Sequence, residues 1–254
     1  MAEEVLYEED GQLGIVTINR PEVKNSLNSA VFLLLDEVLD QAGKDEQIKA
    51  LILTGAGSAF VSGADIKDLL GMDTTSGWTA SRFQQSVFRK LERLGKPSIA
   101  AINGFALGGG LELALSCTFR VASAKAKLGF PELGLGIIPA FGGTQRLVRT
   151  VGQAKAAEMI LLRSVIDGEE AYRIGLVNRA VEPDQVLSAS REMAGSLLAL
   201  SPLAVRLELE LLFEAENKGF GTGMALESAL GALAVSSGEA KGLLSGFLQK
   251  RKME

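Results

Sequence analysis

Three short runs are dominated by apolar residues: Gly14–Arg20, which is β-branched and stops at Pro21, Ala50–Gly55, and Pro97–Gly104. Each has the length and β-branched content of a strand, and none alternates with polar residues. A strand without alternation cannot leave one face in water, so these runs require a sheet covered on both sides. Helix-like stretches separate them. Ser29 is placed to cap a helix reaching about Gly43, with Val31, Leu34, Leu35, Val38 and Leu39 at helical spacing. Thr79 to Leu94 carries Phe83, Val87, Phe88, Leu91 and Leu94 along one side. Phe119–Ser123 and Ala126–Phe130 are further short strand candidates. From about Gly142 onward the pattern is helical: Gly142–Val151, Gln153–Leu162, Asp167–Ile174, Pro183–Leu200, Pro202–Asn217 and Gly223–Ser236. The chain therefore reads as an α/β core followed by a helical extension whose apolar stripes predict packing on another subunit.

The composition narrows the chemistry. Among 254 residues there is no histidine, which excludes Ser-His-Asp and Cys-His devices, histidine metal ligands and a histidine base. The single cysteine, Cys117, excludes an intrachain disulfide and a CxxC site. Acid–base chemistry then falls first to carboxylates. Twenty-six basic residues against 31 acidic ones give a net charge of -5, unlike the basic balance of a nucleic-acid binder. No apolar run reaches the roughly 20 residues of a membrane span. The acidic start, Met1–Glu4, resembles neither a signal nor a transit peptide, so a reducing cytoplasm is expected.

Glycines mark three segments where the backbone must turn or approach something closely. These are Ser58–Lys67, Asn103–Leu113, and Phe130–Gly134 with its continuation Ile138–Arg146. Gly108-Gly109-Gly110 opens a helix, leaving unshielded N–H groups suited to a phosphate, a carboxylate or a developing oxyanion. Close helix–strand packing explains the same triplet. Glu112 lies one helical turn further on, in the apolar sequence Gly-Leu-Glu-Leu-Ala-Leu. It is a candidate acid or base; the alternatives are a solvated glutamate or one paired with an arginine such as Arg120. Glu132 follows Pro131 in a loop, a second candidate whose alternative is an ordinary surface carboxylate. If the two face one pocket, one carboxylate takes a proton from water while the other supplies one.

Taken together, Asn19-Arg20-Pro21, Asn25-Ser26-Leu27-Asn28, Gly63-Ala64-Asp65-Ile66-Lys67, Asn103-Gly104 with Gly108-Gly109-Gly110, Pro131-Glu132 and Gly142-Gly143-Thr144-Gln145-Arg146-Leu147 resemble the crotonase superfamily, enoyl-CoA hydratases most of all. The likeness spans essentially the whole chain. It implies an α/β fold with a crotonase-type ββα spiral core over 1–195 holding the acyl-CoA site. A C-terminal helical trimerisation region follows over 196–254, in a homohexamer built as a dimer of trimers. It implies an acyl-CoA thioester substrate, no metal and no separate cofactor, coenzyme A being part of the substrate. Neither nucleic acid nor membrane is an expected partner.

Residue by residue, the resemblance gives the N–H groups of Ala64 and Gly109 the role of oxyanion hole. Glu112 would activate the water that attacks C3, and Glu132 would deliver the proton to C2. Lys24, Asp65, Ile66 and Lys67 are expected at the substrate, on the CoA side, with Lys250-Arg251-Lys252 near a CoA phosphate. The implied reaction is reversible hydration of a short-chain trans-2-enoyl-CoA to a 3-hydroxyacyl-CoA. The rivals are an enoyl-CoA isomerase, a pathway-specific hydratase, or a non-catalytic acyl-CoA- or RNA-binding protein; the carboxylate pair counts against the last. Departures from the family pattern are Val61-Ser62, Thr118, and Ala140-Phe141, which is expected to shorten the acyl pocket. Leu70–Trp78, rich in Gly, Ser and Thr, is expected as a mobile flap over the acyl chain.

Overall fold

A computed structural model describes residues 3–215 and 217–251. The chain opens with an antiparallel pair, β1 (Val5–Asp10) and β2 (Leu13–Ile18), followed by helix α1 (Ser29–Lys44). The next coils follow one scheme. Strands β3 (Ala50–Gly55) and β4 (Ala59–Val61) lead to α2 (Ile66–Leu70) and α3 (Thr74–Glu92). Strands β5 (Ser98–Ile102) and β6 (Phe105–Leu107) lead to α4 (Gly109–Leu115). Strands β7 (Phe119–Ser123) and β8 (Lys127–Gly129) lead through a 3-10 turn, Glu132–Leu135, to α5 (Gly143–Leu161) and α6 (Gly168–Arg173). Strand β9 (Arg179–Val181) closes the series before α7 (Val186–Leu198), α8 (Pro202–Ala215), α9 (Phe220–Ser236) and α10 (Gly238–Lys250).

From β3 onward the strands sort alternately into two sheets. One has six strands in the order β1-β2-β3-β5-β7-β9, parallel beyond the first pair; the other has three parallel strands, β4-β6-β8. Each coil thus gives one strand to each sheet and then a helical segment, which is the ββα spiral expected from the sequence.

The apolar runs are explained by cover on both faces. Val16, Ile18, Leu51, Leu53, Ala100 and Ile102 point into the main core with α1 and α3. Their neighbours Leu13, Ile15, Ala50, Ile52, Ile99 and Ala101 pack against Val186 and Ala194 of α7. Helix α7 is therefore the lid of the large sheet, and the expected boundary at residue 195 falls inside its last turn. Beyond it, α8 to α10 leave Phe220, Leu233, Leu243 and Phe247 exposed. No helix among the described residues is long and apolar enough to cross a membrane.

Local readings shift in two places. The cap of α1 is Asn28, whose Oδ1 accepts from Val31 N at 2.8 Å, rather than Ser29. Leu70–Trp78 is largely helical, with Thr74–Trp78 forming the start of α3, and its Met72 and Gly77 line the cavity described below. Asp73 caps that helix by accepting from Ser76 N, and Ser76 Oγ accepts from Asp73 N in return, so a Ser/Thr-rich stretch becomes a closed first turn. The two helices read over Gly142–Val151 and Gln153–Leu162 are both present, broken between them at Gly152 (φ 79°), and together make up α5.

Candidate active site

The three strands of the small sheet end side by side. Strand β4 runs into the Ser62–Asp65 loop carrying Ala64, β6 into Gly108 and α4, and β8 through Pro131 to Glu132. Ala64, Gly108, Gly109, Glu112 and Glu132 line one cavity of about 370 Å³. Its remaining wall is largely apolar, with Leu69, Met72, Leu135, Ile138 and Phe141.

Two N–H groups converge there. Leu27 N donates to Gly63 O and Asp65 N to Leu27 O, both at 2.8 Å, bridging Leu27 to Ala64 in parallel. Strand alternation then turns the Ala64 N–H to the opposite side. It donates to no group among the described residues, and neither does the N–H of Gly109 at the first position of α4. A Cβ on Gly109 would lie 3.5 Å from Ala64 N, so the two peptides are neighbours. Gly108 adopts φ 50°, and a Cβ there would meet Glu132 Oε1 at 2.5 Å. The close-packing reading of the triplet holds at Gly110, where a Cβ would strike Val61 O at 2.1 Å.

Glu112 is 1% exposed and is not paired with Arg120, which donates instead to the carbonyls of Leu176 and Cys117. Its Oε1 accepts from Phe141 N (2.8 Å) and Gly143 N (2.7 Å). Burial pushes its carboxyl up to about 7, opposed by those two N–H groups and reinforced by the charge of Glu132. Gly143 is required here, because a Cβ would sit 2.6 Å from Glu112 Cγ. Glu132 is 9% exposed and its Oε2 is buried without a hydrogen-bond partner. Burial pushes its carboxyl up to about 7 as well.

The loop that holds Glu112 is itself held. Arg146 forms a two-pronged pair with Glu92 (2.6 and 2.9 Å) and donates to Phe141 O at 2.9 Å. Ser81 and Gln85, one turn apart on α3, both donate to Ala140 O (2.7 and 2.8 Å). These positioning roles were hidden in the sequence. Arg146 stood only inside a motif, and the sole trace of the α3 pair was two polar residues four apart on one helix face. Arg146→Ala is expected to lower kcat roughly 10- to 100-fold with a smaller change in KM, by loosening the Phe141 peptide. Because the Arg146 charge also lowers the Glu112 carboxyl, its removal should shift the acid limb of the pH–rate profile upward, and Arg146→Lys should not restore the two-pronged geometry.

Comparison with known proteins decides the family. The family model described as "Enoyl-CoA hydratase/isomerase" matches residues 8–254. The chain belongs to this family. It is 43% identical over 251 residues to a short-chain-enoyl-CoA hydratase of Clostridium acetobutylicum, covering 98% of this chain and 96% of the relative. It is 40% identical, with the same coverage, to a crotonyl-CoA hydratase of Syntrophomonas wolfei. The crystal structure of an enoyl-CoA hydratase from Bacillus anthracis superposes with a TM-score of 0.93 at 34% identity, covering 97% of this chain and 96% of that one. The chain is thus a crotonase-superfamily protein with the enoyl-CoA hydratase fold, and its relatives are hydro-lyases.

Within this enoyl-CoA hydratase/isomerase fold, the other predicted residues scatter. Ile66 lines the cavity. Asp65 caps α2 by accepting from Lys67 N, and its Oδ2 accepts from both Arg20 Nη atoms at 3.1 Å. Lys67 is exposed beside it, outside the cavity wall. Lys24 is exposed with φ 51° and its Nζ 4.8 Å from the Phe105 ring centroid. The basic cluster Lys250-Arg251-Lys252 lies outside the described residues at Lys252 and at the Lys250 side chain. Thr118 is accounted for: its hydroxyl accepts from Ser98 N and its N–H donates to Ser98 Oγ, both at 3.1 Å. No cluster of three or more Cys, Asp and Glu side chains suited to a metal lies among the described residues.

Proposed function

We propose that this chain catalyses the reversible addition of water to a short-chain trans-2-enoyl-CoA. The observation that carries the reading is the pair of buried carboxylates, Glu112 and Glu132, both raised to about 7, on one cavity with two undonated N–H groups. The thioester oxygen accepts from Ala64 N and Gly109 N. Ionised Glu112, oriented through Oε1, takes a proton from water as its oxygen bonds to C3. The electron pair of the C2–C3 double bond moves into an enolate on the thioester oxygen, where the two N–H groups stabilise it. Neutral Glu132 then gives its proton to C2, and the proton on Glu112 restores it. The proposed steps use only carboxylates and backbone, so no metal or further cofactor is invoked. Exposed Lys24 and Lys67, with Asp65 and Ile66 between cavity and surface, are proposed to meet the CoA portion.

The test is loss of the conjugated enoyl-thioester absorbance with crotonyl-CoA. Fast loss by the wild type and almost none by Glu132→Gln supports the reading; a folded wild type that leaves the absorbance unchanged sinks it. An isomerase that survives Glu112→Gln intact would favour the rival within the family.

One proton shared between two coupled carboxylates sets the pH dependence. The pair titrates in two macroscopic steps, one on each side of about 7. We expect a bell-shaped kcat/KM with its maximum near pH 7, falling in acid as Glu112 is protonated and in base as Glu132 loses its proton. A flat profile from about pH 5 to 9 would remove the pair from proton transfer.

The exposed apolar residues of α8 to α10 support a helical oligomerisation region over 196–254, and a homohexamer is proposed. Sedimentation should give about six times the 26.8 kDa chain mass. A cytoplasmic location is proposed.

A further inference from the structure

Resting on the hydratase reading, we propose that Gln84 fits the cavity to an acyl chain that carries an uncharged hydroxyl at its far end. The buried face of α3 consists of Gln84, Val87, Phe88 and Leu91, at the i, i+3, i+4, i+7 spacing of a helix stripe. Three of these are apolar, and Gln84 stands where a fourth apolar residue would pack. It is 9% exposed and lines the cavity that holds Glu112 and Glu132. Its side-chain amide hydrogen-bonds to no described residue, and neither amide atom is sealed off from the adjoining space. A buried amide without a partner costs free energy. The wall thus offers a donor and an acceptor that an occupant of the cavity can satisfy.

The groups proposed to react stand on the loops and helix that follow the small sheet, whereas α3 forms a wall that carries none of them. A chain anchored by its thioester oxygen therefore has its remaining length free to reach α3. That wall is held in place on both sides of Gln84. Ser81, one turn before it, lines the same cavity and donates to Ala140 O at 2.7 Å. Phe88, one turn after it, meets the Phe141 ring at 6.0 Å between centroids. The Ser81 proton is already spent on Ala140, so its oxygen is left to accept. A hydroxyl donates and accepts, as the Gln84 amide does, and it matches both side chains. A methyl end leaves the amide unpaired. A carboxylate end only accepts, and it brings a second negative charge into a cavity with two carboxyls and no lysine or arginine among its described lining residues.

The experiment compares trans-5-hydroxypent-2-enoyl-CoA with trans-hex-2-enoyl-CoA, which differ only by a hydroxyl in place of a methyl and so have the same length. Wild type should favour the hydroxylated chain in kcat/KM, and a carboxylate-ended chain of similar length should be the poorest of the three. Gln84→Met keeps the side-chain volume and removes the amide, and the hydroxyl-to-methyl ratio should fall about tenfold or more. Gln84→Leu should do the same. Gln84 also lines a groove between α1 and α3, beside Phe32 and Phe83. If its amide serves that groove instead, the ratio stays at the wild-type value in both folded variants, and the proposal is overturned. Binding of 5-hydroxypentanoyl-CoA and hexanoyl-CoA, which have no double bond to hydrate, is measured alongside by calorimetry. The affinity ratio should show the same preference and the same loss. A wild type that binds the hydroxylated chain preferentially but hydrates neither enoyl substrate overturns the hydratase reading alone; equal affinities in wild type and variants overturn the role of Gln84.

Discussion

Glu112→Gln and Glu132→Gln are each expected to lower kcat on crotonyl-CoA about a thousandfold, within the usual range for removing a positioned acid or base. KM should change little, because both carboxyls lie in the cavity and away from the exposed residues proposed to meet CoA. The amide of Glu112→Gln keeps an oxygen to accept from Phe141 N and Gly143 N, so the fold survives and the lost activity reports lost chemistry.

Stability should move the other way for Glu132→Gln. The Glu132 carboxyl is raised from 4.5 to about 7 on folding. Below pH about 4.5 both folded and unfolded states hold the proton and nothing is gained or lost. Between about 4.5 and 7 the unfolded chain ionises first, so stability falls as pH rises, and above about 7 the penalty is constant. Substitution removes that penalty, about 1–3 kcal/mol after allowance for solvent reaching the group, and should raise Tm by several degrees at pH 8 but not at pH 4. A variant that is inactive yet no more stable at pH 8 would show that Glu132 is not held in a costly ionised state.

The second large effect is expected at Gly110. An alanine there places Cβ 2.1 Å from Val61 O and 2.7 Å from Val61 C, both backbone atoms of β4 with nowhere to swing. Either β4 or α4 must move. Urea unfolding of Gly110→Ala should show a loss of about 3 kcal/mol or more, at the upper end for an overpacked site. Activity should be lost even where the variant remains folded, because β4 leads to the Ala64 N–H and α4 carries both the Gly109 N–H and Glu112. Gly195→Ala is the control: on the exposed face of α7, with nothing within 4 Å of the added Cβ, it should be neutral or stabilising by up to about 1 kcal/mol.

Much of this was legible because burial on two faces leaves a plain mark. Strands β3 and β5 stood out as unbroken apolar runs, and the α1 and α3 stripes as helical spacing. Strands β4 and β6 did not, since three residues are too few to establish any period, yet these are the strands that deliver Ala64 and Gly109. Composition did not reveal the helix within Leu70–Trp78, where Asp73 and Ser76 close a helical turn. For Glu112 the sequence offered an arginine partner only as an alternative and named no other; the partners are N–H groups 29 and 31 residues away. A backbone donor has no residue type, so only the folded path of the chain could reveal it. The same holds for the meeting of Glu112 with Glu132, which depends on β6 and β8 being hydrogen-bonded neighbours.

The small sheet also acts as a ruler. Ala64, Gly109 and Glu132 stand at the ends of β4, β6 and β8, three adjacent strands whose separation is fixed near 4.8 Å by main-chain hydrogen bonding. Side-chain exchange cannot alter that interval. Selection can therefore rebuild the cavity walls, residue by residue, while the graduations proposed to locate the substrate's oxygen and second carbon stay where the backbone put them.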